Sequence, residues 1–438
     1  MENFGSWGRY PKAVQTALRI PSRSGALPQP AAPAPLLPYG LGRSYGDCCL
    51  NDRGCILPTR ELDHLISFDR ESGVLRCEAG VSLDEILKII VPAGWFLPVV
   101  PGTKFVTVGG AIANDIHGKN HHRAGTFGCH VTQLELQRSD GTRLVCSPEK
   151  NPDYFKATIA GLGLTGLITW AEFRLKKIAG PFIDAETVPF SSLEEFFKIS
   201  EESDKAFEHT VAWIDTLGTG GRFGRGVFFR GNWAPDAGSS GAGKRRLKLA
   251  MPFDAPGFLL NRWTVGVFNE LYFRKQALGP RRSRMHYDPF FFPLDGISDW
   301  NRLYGKSGFF QHQCVIPEGS VPEKTVAGLL KIIAASGLGS FLAVLKKFGD
   351  ARSPGLMSFP RKGLTLSVDI KNGGPRSFAL MDKLDAVVKE ANGAVYPAKD
   401  ARMSAALFES SFPGLPQFRK LKDERFSSQF WRRCAETS

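Results

Sequence analysis

Apolar residues recur at helical spacing in one early stretch and at strand spacing in many others. Leu83, Ile86, Leu87 and Ile90 share one helical face, and Ser82 with Glu85 forms the capping-box pattern that opens such a helix. Pro92 and Gly94 end it. Just upstream, Gly73 and Gly80 frame the strand VLRCEA. Downstream, VTQLELQRSDG and LVCS predict a hairpin that turns at Asp140-Gly141. A short helix is expected from Tyr154 to Ala160, then GLGLTG, then the strand LITWAEFRL. Around Gly180-Pro181 the texture changes. Strand-like runs such as TVAWIDTL and LTLSVDI now mix with two helices, roughly Val321 to Ala335 and Ser377 to Ala391. The basic stretch from Leu415 to Cys434 reads as helix, and the Pro-rich segment from Pro21 to Pro38 as extended surface chain.

Composition narrows the class. A chain of 438 residues exceeds what one hydrophobic core usually serves, so two domains are expected. Hydrophobic residues at 42% and charged residues at 23% exclude a disordered protein. The net charge of +13 is compatible with nucleic acid, an anionic membrane surface or phosphorylated ligands. The cations come in short clusters, Lys244-Arg245-Arg246, Arg281-Arg282, Lys346-Lys347 and Arg432-Arg433, whose default reading is a solvated face. No zinc-finger spacing or RNA-binding aromatic motif accompanies them, which argues against nucleic acid. Eight cysteines without a CxxC are not a disulfide scaffold or a metal cluster. Residues 1–30 hold no apolar h-region, and no uninterrupted span of about 20 apolar residues occurs. The expected compartment is therefore the cytoplasm, with peripheral contact at the inner face of the membrane left open. The segment from Asp236 to Lys248, small residues followed by cations, is expected to be mobile. The aromatic and basic stretch 244–292 either meets a prenyl phosphate at a bilayer surface or forms the core of the second domain with a charged rim.

Glycine-dense loops carry the candidate chemistry. Gly40, Gly42 and Gly46 punctuate PYGLGRSYGDC, a loop able to turn its N–H groups inward as an anion nest. The second stretch, PGTKFVTVGGAIANDIHGKNHH from Pro101 to His122, opens with a Pro-Gly turn and runs through an apolar β-like segment. It reaches Gly109-Gly110 at a helix start, then a polar cluster of His117, Lys119, Asn120, His121 and His122. Uncovered N–H groups at such a helix start suit a pyrophosphate or a flat ring. Two clamps of this kind suit a long dinucleotide. Gly161, Gly163 and Gly166 also spell GxGxxG, but they follow a helix and precede a strand, the reverse of the Rossmann order. GAGKRR fails as a phosphate loop because no Ser or Thr follows its Lys.

GLGRSYGD, PGTKFVTVGGAIANDIHGKNHHRAGTFGCHV, GLGLTGL, FFQHQCVIP and YPAKDAR together resemble the decaprenylphosphoryl-β-D-ribose 2-oxidases, a family within the vanillyl-alcohol-oxidase-like FAD proteins. The resemblance runs from about Trp7 to the C-terminus. It implies an α+β chain: a two-lobed, PCMH-type FAD-binding domain from residues 1–180 and 395–438, and a cap domain with an antiparallel sheet from 181–394. It implies that FAD is lined by Pro38, Tyr39, Gly40, Leu41, Gly42, Arg43, Ser44, Tyr45, Gly46, Asp47 and Cys48 of the first loop. From the rest of the chain it adds Gly102, Thr107, Val108, Gly109, Gly110, Asn114, Asp115, Ile116, His117, Ile168 and Tyr396. Relatives in the wider group attach FAD through a His in the first loop. Tyr45 stands there in this chain, so non-covalent flavin is expected, with His117 the remaining conceivable attachment point.

Alcohol oxidation by a flavin needs the reacting carbon over the ring, a base for the hydroxyl proton, and a cation or dipole near the ring. Lys399 in YPAKDAR resembles the family's active-site Lys, as base or as orienting cation. Its alternative is an ion pair with Asp400 or Asp369. His117 and Tyr45 either serve the same site or cap and pack. For substrate the resemblance points to Tyr304, Gln311, Gln313 and Lys346, with Thr365 and Ser367 standing where mycobacterial members usually carry Asn and Cys. No metal is expected. The activity implied is oxidation of the 2-hydroxyl of decaprenylphosphoryl-β-D-ribose to the 2-keto sugar. A separate NAD(P)H-dependent reductase would complete an epimerisation to the arabinose form for polysaccharide precursors. The alternative is an oxidase of a soluble sugar, alditol or aldonolactone.

Overall fold

In the computed structural model, which describes residues 4–236 and 249–436, Ser82 caps the helix Leu83–Ile90. The Glu85 N–H donates to the Ser82 hydroxyl, and the Ser82 N–H donates back to the Glu85 carboxylate. Leu83, Ile86, Leu87 and Ile90 are all buried, as their spacing requires. The helix packs into a core under a five-stranded antiparallel sheet, ordered Leu65–Asp69, Val74–Glu78, Leu167–Arg174, Val131–Gln137 and Arg143–Cys146. The hairpin of the last two strands turns through Gly141 at φ +88°, where a side chain would be strained. A smaller parallel sheet, Thr16–Ala17, Cys55–Pro58 and Leu36–Tyr39, makes the other lobe.

The C-terminal chain returns to this small lobe. Leu36 N–H donates to Arg425 O at 2.7 Å, and Ser427 N–H donates to Leu36 O at 3.0 Å. Phe426 is buried there.

Residues 182–395 supply an eight-stranded, wholly antiparallel sheet. Its order is Arg282–His286, Phe182–Phe190, Gly226–Trp233, His209–Ile214, Ala343–Phe348, Gly363–Lys371, Phe309–Pro317 and Ala394–Val395. Alternation along the strands divides the labour of its two faces. Leu364, Leu366, Val368 and Ile370 point to the helices Pro322–Ser336 and Pro375–Glu390 and form the largest core with Leu330, Ile333, Leu380 and Leu384. Thr365 and Ser367, one residue out of phase, line a cavity on the other face.

Several expectations shift. The helix expected from Tyr154 runs Pro152–Thr158. The β-like segment before Gly109 makes only a single bridge, Ser82 to Thr107, because Thr107 caps the helix Val108–Ala113. Leu415 to Cys434 is two helices, Leu415–Leu421 and Gln429–Ala435. The chain breaks between them because Asp423 is held by the Ser139 N–H and hydroxyl, and 425–427 pair with Leu36. Leu36 and Leu37, expected on the surface, are buried strand residues. All eight cysteines are free. The expected mobile segment Asp236 to Lys248 lies, from 237 onward, outside the described residues, as does the cluster Lys244-Arg245-Arg246. No helix of the described residues is long and apolar enough to cross a membrane.

The two halves of the chain meet where a Cβ at position 46 would fall 1.6 Å from the Asp400 carbonyl oxygen. Gly46→Ala is therefore expected to cost about 1–3 kcal/mol, read as a lower thermal midpoint. Gly221→Ala, in open space, is the control and should change stability by less than about 0.5 kcal/mol.

Candidate active site

One cavity of about 930 Å³ touches both glycine loops, the cap sheet and Lys399. Gly42, Gly109 and Lys399 all line it. The first loop is held open by its own backbone. Gly42 sits at φ +62°, and a Cβ there would fall 2.1 Å from the Tyr39 hydroxyl oxygen. Among the described residues, the N–H groups of Leu41, Gly42, Arg43 and Ser44 find no acceptor, nor do those of Gly102, Thr103 and Thr107 on the second loop. All seven residues line the cavity. Unspent backbone donors grouped on a concave wall fit a pyrophosphate and the carbonyls of a flavin ring.

The helix after the second loop works differently from the expectation. Val108 N–H donates to Val81 O, Gly109 N–H to Ala79 O, and Gly110 N–H to the Thr107 hydroxyl. The donors of Gly109 and Gly110 are spent, so these glycines contribute a flat, side-chain-free wall rather than an anion site.

The sheet delivers its side chains by period two. Gln311 and Gln313, Thr365 and Ser367, Val344 and Lys346, Val211 and Trp213 all face the cavity from four neighbouring strands. Gln313 Nε2 lies 2.9 Å from His117 Nε2 and 3.4 Å from the Thr365 hydroxyl. A Gln amide donating to Nε2 places the His117 proton on Nδ1, which is buried without a partner among the described residues. Burial, then Lys346, His121 and Lys399, hold the His117 pKa well below the usual value. His117 is therefore a neutral ring with one unspent donor.

Lys399 Nζ sits 3.8 Å from the centre of the Tyr45 ring. Neither carboxylate offered by the sequence is its ion-pair partner. Asp400 accepts from Arg433 and from the N–H groups of Arg402 and Met403. Asp369 accepts from the Gln311 amide and the Tyr304 hydroxyl. Burial lowers the Lys399 pKa to about 8, with Asp369 opposing the shift. Lys346, donating to Gly118 O at 2.8 Å, is lowered by burial to about 7, and Lys119, donating to Phe290 O, likewise to about 7. Lys346, half of a cluster whose default reading was a solvated face but a substrate residue by the resemblance, lines the cavity.

Six of the sequence-derived site residues stand behind the wall. Tyr39 donates to Gly5 O, Val108 is core, and Gly46 packs on Asp400. Asp47 is the counter-ion of Arg433, which also holds Asp400 and so ties the last helix to the first loop. Asp115 accepts from Ser353, Ser358 and the Gly128 N–H. Tyr304 stacks on Phe309 at 4.1 Å and reaches Asp369 rather than the cavity. The remaining seventeen first- and second-loop, Ile168 and Tyr396 positions, and the other cap positions, line it. Tyr396 also donates to Asn114 O at 2.7 Å, bracing the second loop.

Sequence reasoning missed three contributors. Gly163 and Gly166, from the motif rejected as a Rossmann fingerprint, line the cavity as a third glycine loop. Lys119 was named in the polar cluster but given no role. Asp369, fully buried beside Tyr45, was considered only as an alternative partner for Lys399. With Tyr45 rather than His on the first loop and His117 Nε2 held by Gln313, acid precipitation is expected to release FAD into the supernatant. A pellet that keeps the flavin fluorescence would show a covalent link.

Comparison with known proteins gives the family. Residues 29–147 match the FAD binding domain family. The chain is 36% identical to the decaprenylphosphoryl-beta-D-ribose oxidase of Mycolicibacterium smegmatis over 90% of this chain and 88% of the relative. It is 31% identical to an uncharacterized protein of Streptomyces coelicolor over 78% of this chain and 95% of that one. It is 29% identical to the human Delta(24)-sterol reductase over 34% of this chain and 28% of that one. The loops, the two-lobed α+β domain and these likenesses make the chain an FAD-dependent oxidoreductase, and it belongs to the decaprenylphosphoryl-β-D-ribose oxidase family.

Proposed function

We propose that this protein oxidises the 2-hydroxyl of a polyprenyl-phospho-ribose, of the decaprenylphosphoryl-β-D-ribose kind, to the 2-keto sugar. Residues 1–180 with 395–438 would hold FAD, and 181–394 the substrate. The observation that carries the reading is the lining of one cavity. Half-buried Lys119, Lys346 and Lys399 share it with an apolar bay made by Trp213, Phe268, Tyr272, Phe291, Phe341 and Leu342. Cations suit a phosphate, amides and hydroxyls suit a sugar, and the bay suits a prenyl chain.

FAD, when bound, supplies the acceptor for the hydride that leaves the carbinol carbon. Leu41 to Ser44, Gly102, Thr103 and Thr107 would hold it with their free N–H groups. The protein's remaining task is the hydroxyl proton. Lys399 Nζ is the group suited to take it, because burial has brought its pKa close to working pH. His117 Nδ1–H would donate to a sugar or ring oxygen and orient it, and Gln313 would fix the ring that carries that donor. Lys346, in line with Val344 along one strand face, would meet the phosphate where the polar end of the cavity passes into the apolar bay. The keto product would be reduced by a separate NAD(P)H-dependent enzyme, completing an epimerisation to the arabinose form for cell-wall or polysaccharide precursors. A substrate with a prenyl tail would bring the protein to a membrane surface, of which the cytoplasmic face is the side proposed.

Anaerobic mixing with a prenyl-phospho-ribose is expected to bleach the flavin, and free ribose, alditols or aldonolactones are not. Bleaching by the soluble sugars alone would overturn the reading. Lys399→Ala should retain FAD and slow flavin reduction by about 10²–10⁴-fold. The free amine is the base, so flavin reduction should rise with pH through about 8, where Lys399 loses its proton. Asp369 raises that pKa, so Asp369→Asn should move the inflection to lower pH. A rate that falls above pH 8 would instead make Lys399 an orienting cation.

A further inference from the structure

The helix Arg262–Leu278 has two working sides. On the inner side Val265 and Asn269 are buried, Asn269 donates to Asp215 at 2.9 Å and to Ser340 O at 3.2 Å, and Phe268 and Tyr272 line the cavity. The outer side carries four exposed apolar side chains, interrupted by Arg274, which pairs with Glu270. Trp263 is 83% exposed, Val267 60%, Leu271 63% and Leu278 88%. Successive steps of four and seven residues put these on one stripe of an α-helix. The preceding turn adds Phe258, 74% exposed, next to the helix cap at Asn261. Single exposed apolar residues need no explanation, but four on one helical face with Phe258 beside them mark a surface that something covers.

Charge selects the occupant. Arg262 at one end of the stripe, Lys275 near the other and Arg281 just beyond are exposed and form no ion pair among the described residues. A second copy of this chain, with net charge +13, would bring like cations together across a two-fold contact. An anionic bilayer would neutralise them while accepting the Trp, Leu and Phe side chains.

We propose that the outer face of the helix Arg262–Leu278, with the turn at Phe258, docks this protein in the plane of an anionic lipid bilayer. Phe268 of the same helix lines the apolar bay and is 46% exposed, so docking would set that edge of the cavity against the lipid phase. A prenyl chain would then pass from bilayer to bay along Phe268 and Tyr272 without crossing water. That last step rests on the lipid-sugar reading above; the docking itself does not.

The test uses the full-length holoenzyme and flotation with vesicles of phosphatidylglycerol and phosphatidylcholine, against pure phosphatidylcholine. The wild type should float with the anionic vesicles, and the double variant Trp263→Ser, Leu271→Ser should bind at least tenfold less. Its FAD content and thermal midpoint should match the wild type, since neither residue touches the cavity. Brominated lipid should quench the wild type more than Trp263→Phe. Three results would overturn the proposal: no flotation of the wild type, equal flotation of the double variant, or a wild-type dimer in buffer that the double variant dissolves. Flotation that persists while prenyl-phospho-ribose leaves the flavin unchanged would retire the substrate reading and keep the docking surface.

Discussion

The structure depends on a backbone seam between the first glycine loop and the segment that follows the cap sheet. Tyr45 N–H donates to Ala398 O at 2.9 Å, while Ser44 O and Tyr45 O accept from Trp7 and Gly8 on the opposite side. Tyr396 N–H donates to Gln313 O at 2.9 Å, so the same segment is stitched to the cap. Backbone hydrogen bonds of this kind are directional and leave little latitude in position. They fix the Tyr45 ring under Lys399 and leave the loop's remaining N–H groups facing the cavity. Arg433, gripping Asp47 on one strand of the seam and Asp400 on the other, adds a charged clamp. The FAD loops, the base and the cap side chains therefore keep a common frame.

Electrostatically the cavity carries an excess of cations, Arg43, Lys119, Lys346 and Lys399 against Asp295 and Asp299. Three lysines sit in it with depressed pKa values, and burial is the leading cause each time. Burying an amine without a carboxylate is unfavourable, and a protein keeps such groups where a ligand supplies the missing charge. Asp369 moderates this without neutralising it. Burial raises its own pKa to about 7, and Gln311 and Tyr304 shield it from the cavity. Binding of an anionic ligand would raise the lysine pKa values again, so charge at the site is set partly by what occupies it.

Much of this could be read along the chain because it is local. The Ser82–Glu85 cap, the hairpin at Gly141 and the dense glycines of the first loop follow from residues a few positions apart. Lys399 and the FAD loops became legible through a family resemblance, since nothing in composition links residue 45 to residue 399. What stayed hidden depends on register and on partners far off in sequence. Gly109 looks like an anion site until Ala79 O is seen to take its N–H. Asp47 looks like a cofactor ligand until Arg433 arrives from the last helix. The face of the cap sheet that lines the cavity is decided by a one-residue phase, which places Thr365 and Ser367 inside and Leu364 and Leu366 against the helices. The exposed apolar face of Arg262–Leu278 was concealed by its aromatics, which read equally well as core.

The seam also has a temporal side. Its two strands lie far apart in the chain and so are made at different times, and Phe426, made later still, fills the small lobe's core. While the ribosome is still making the cap, the nascent first loop has no Ala398 to bond and no Arg433 to meet Asp47. The redox pocket can therefore close only after both strands of the seam have been made, however early the first loop folds.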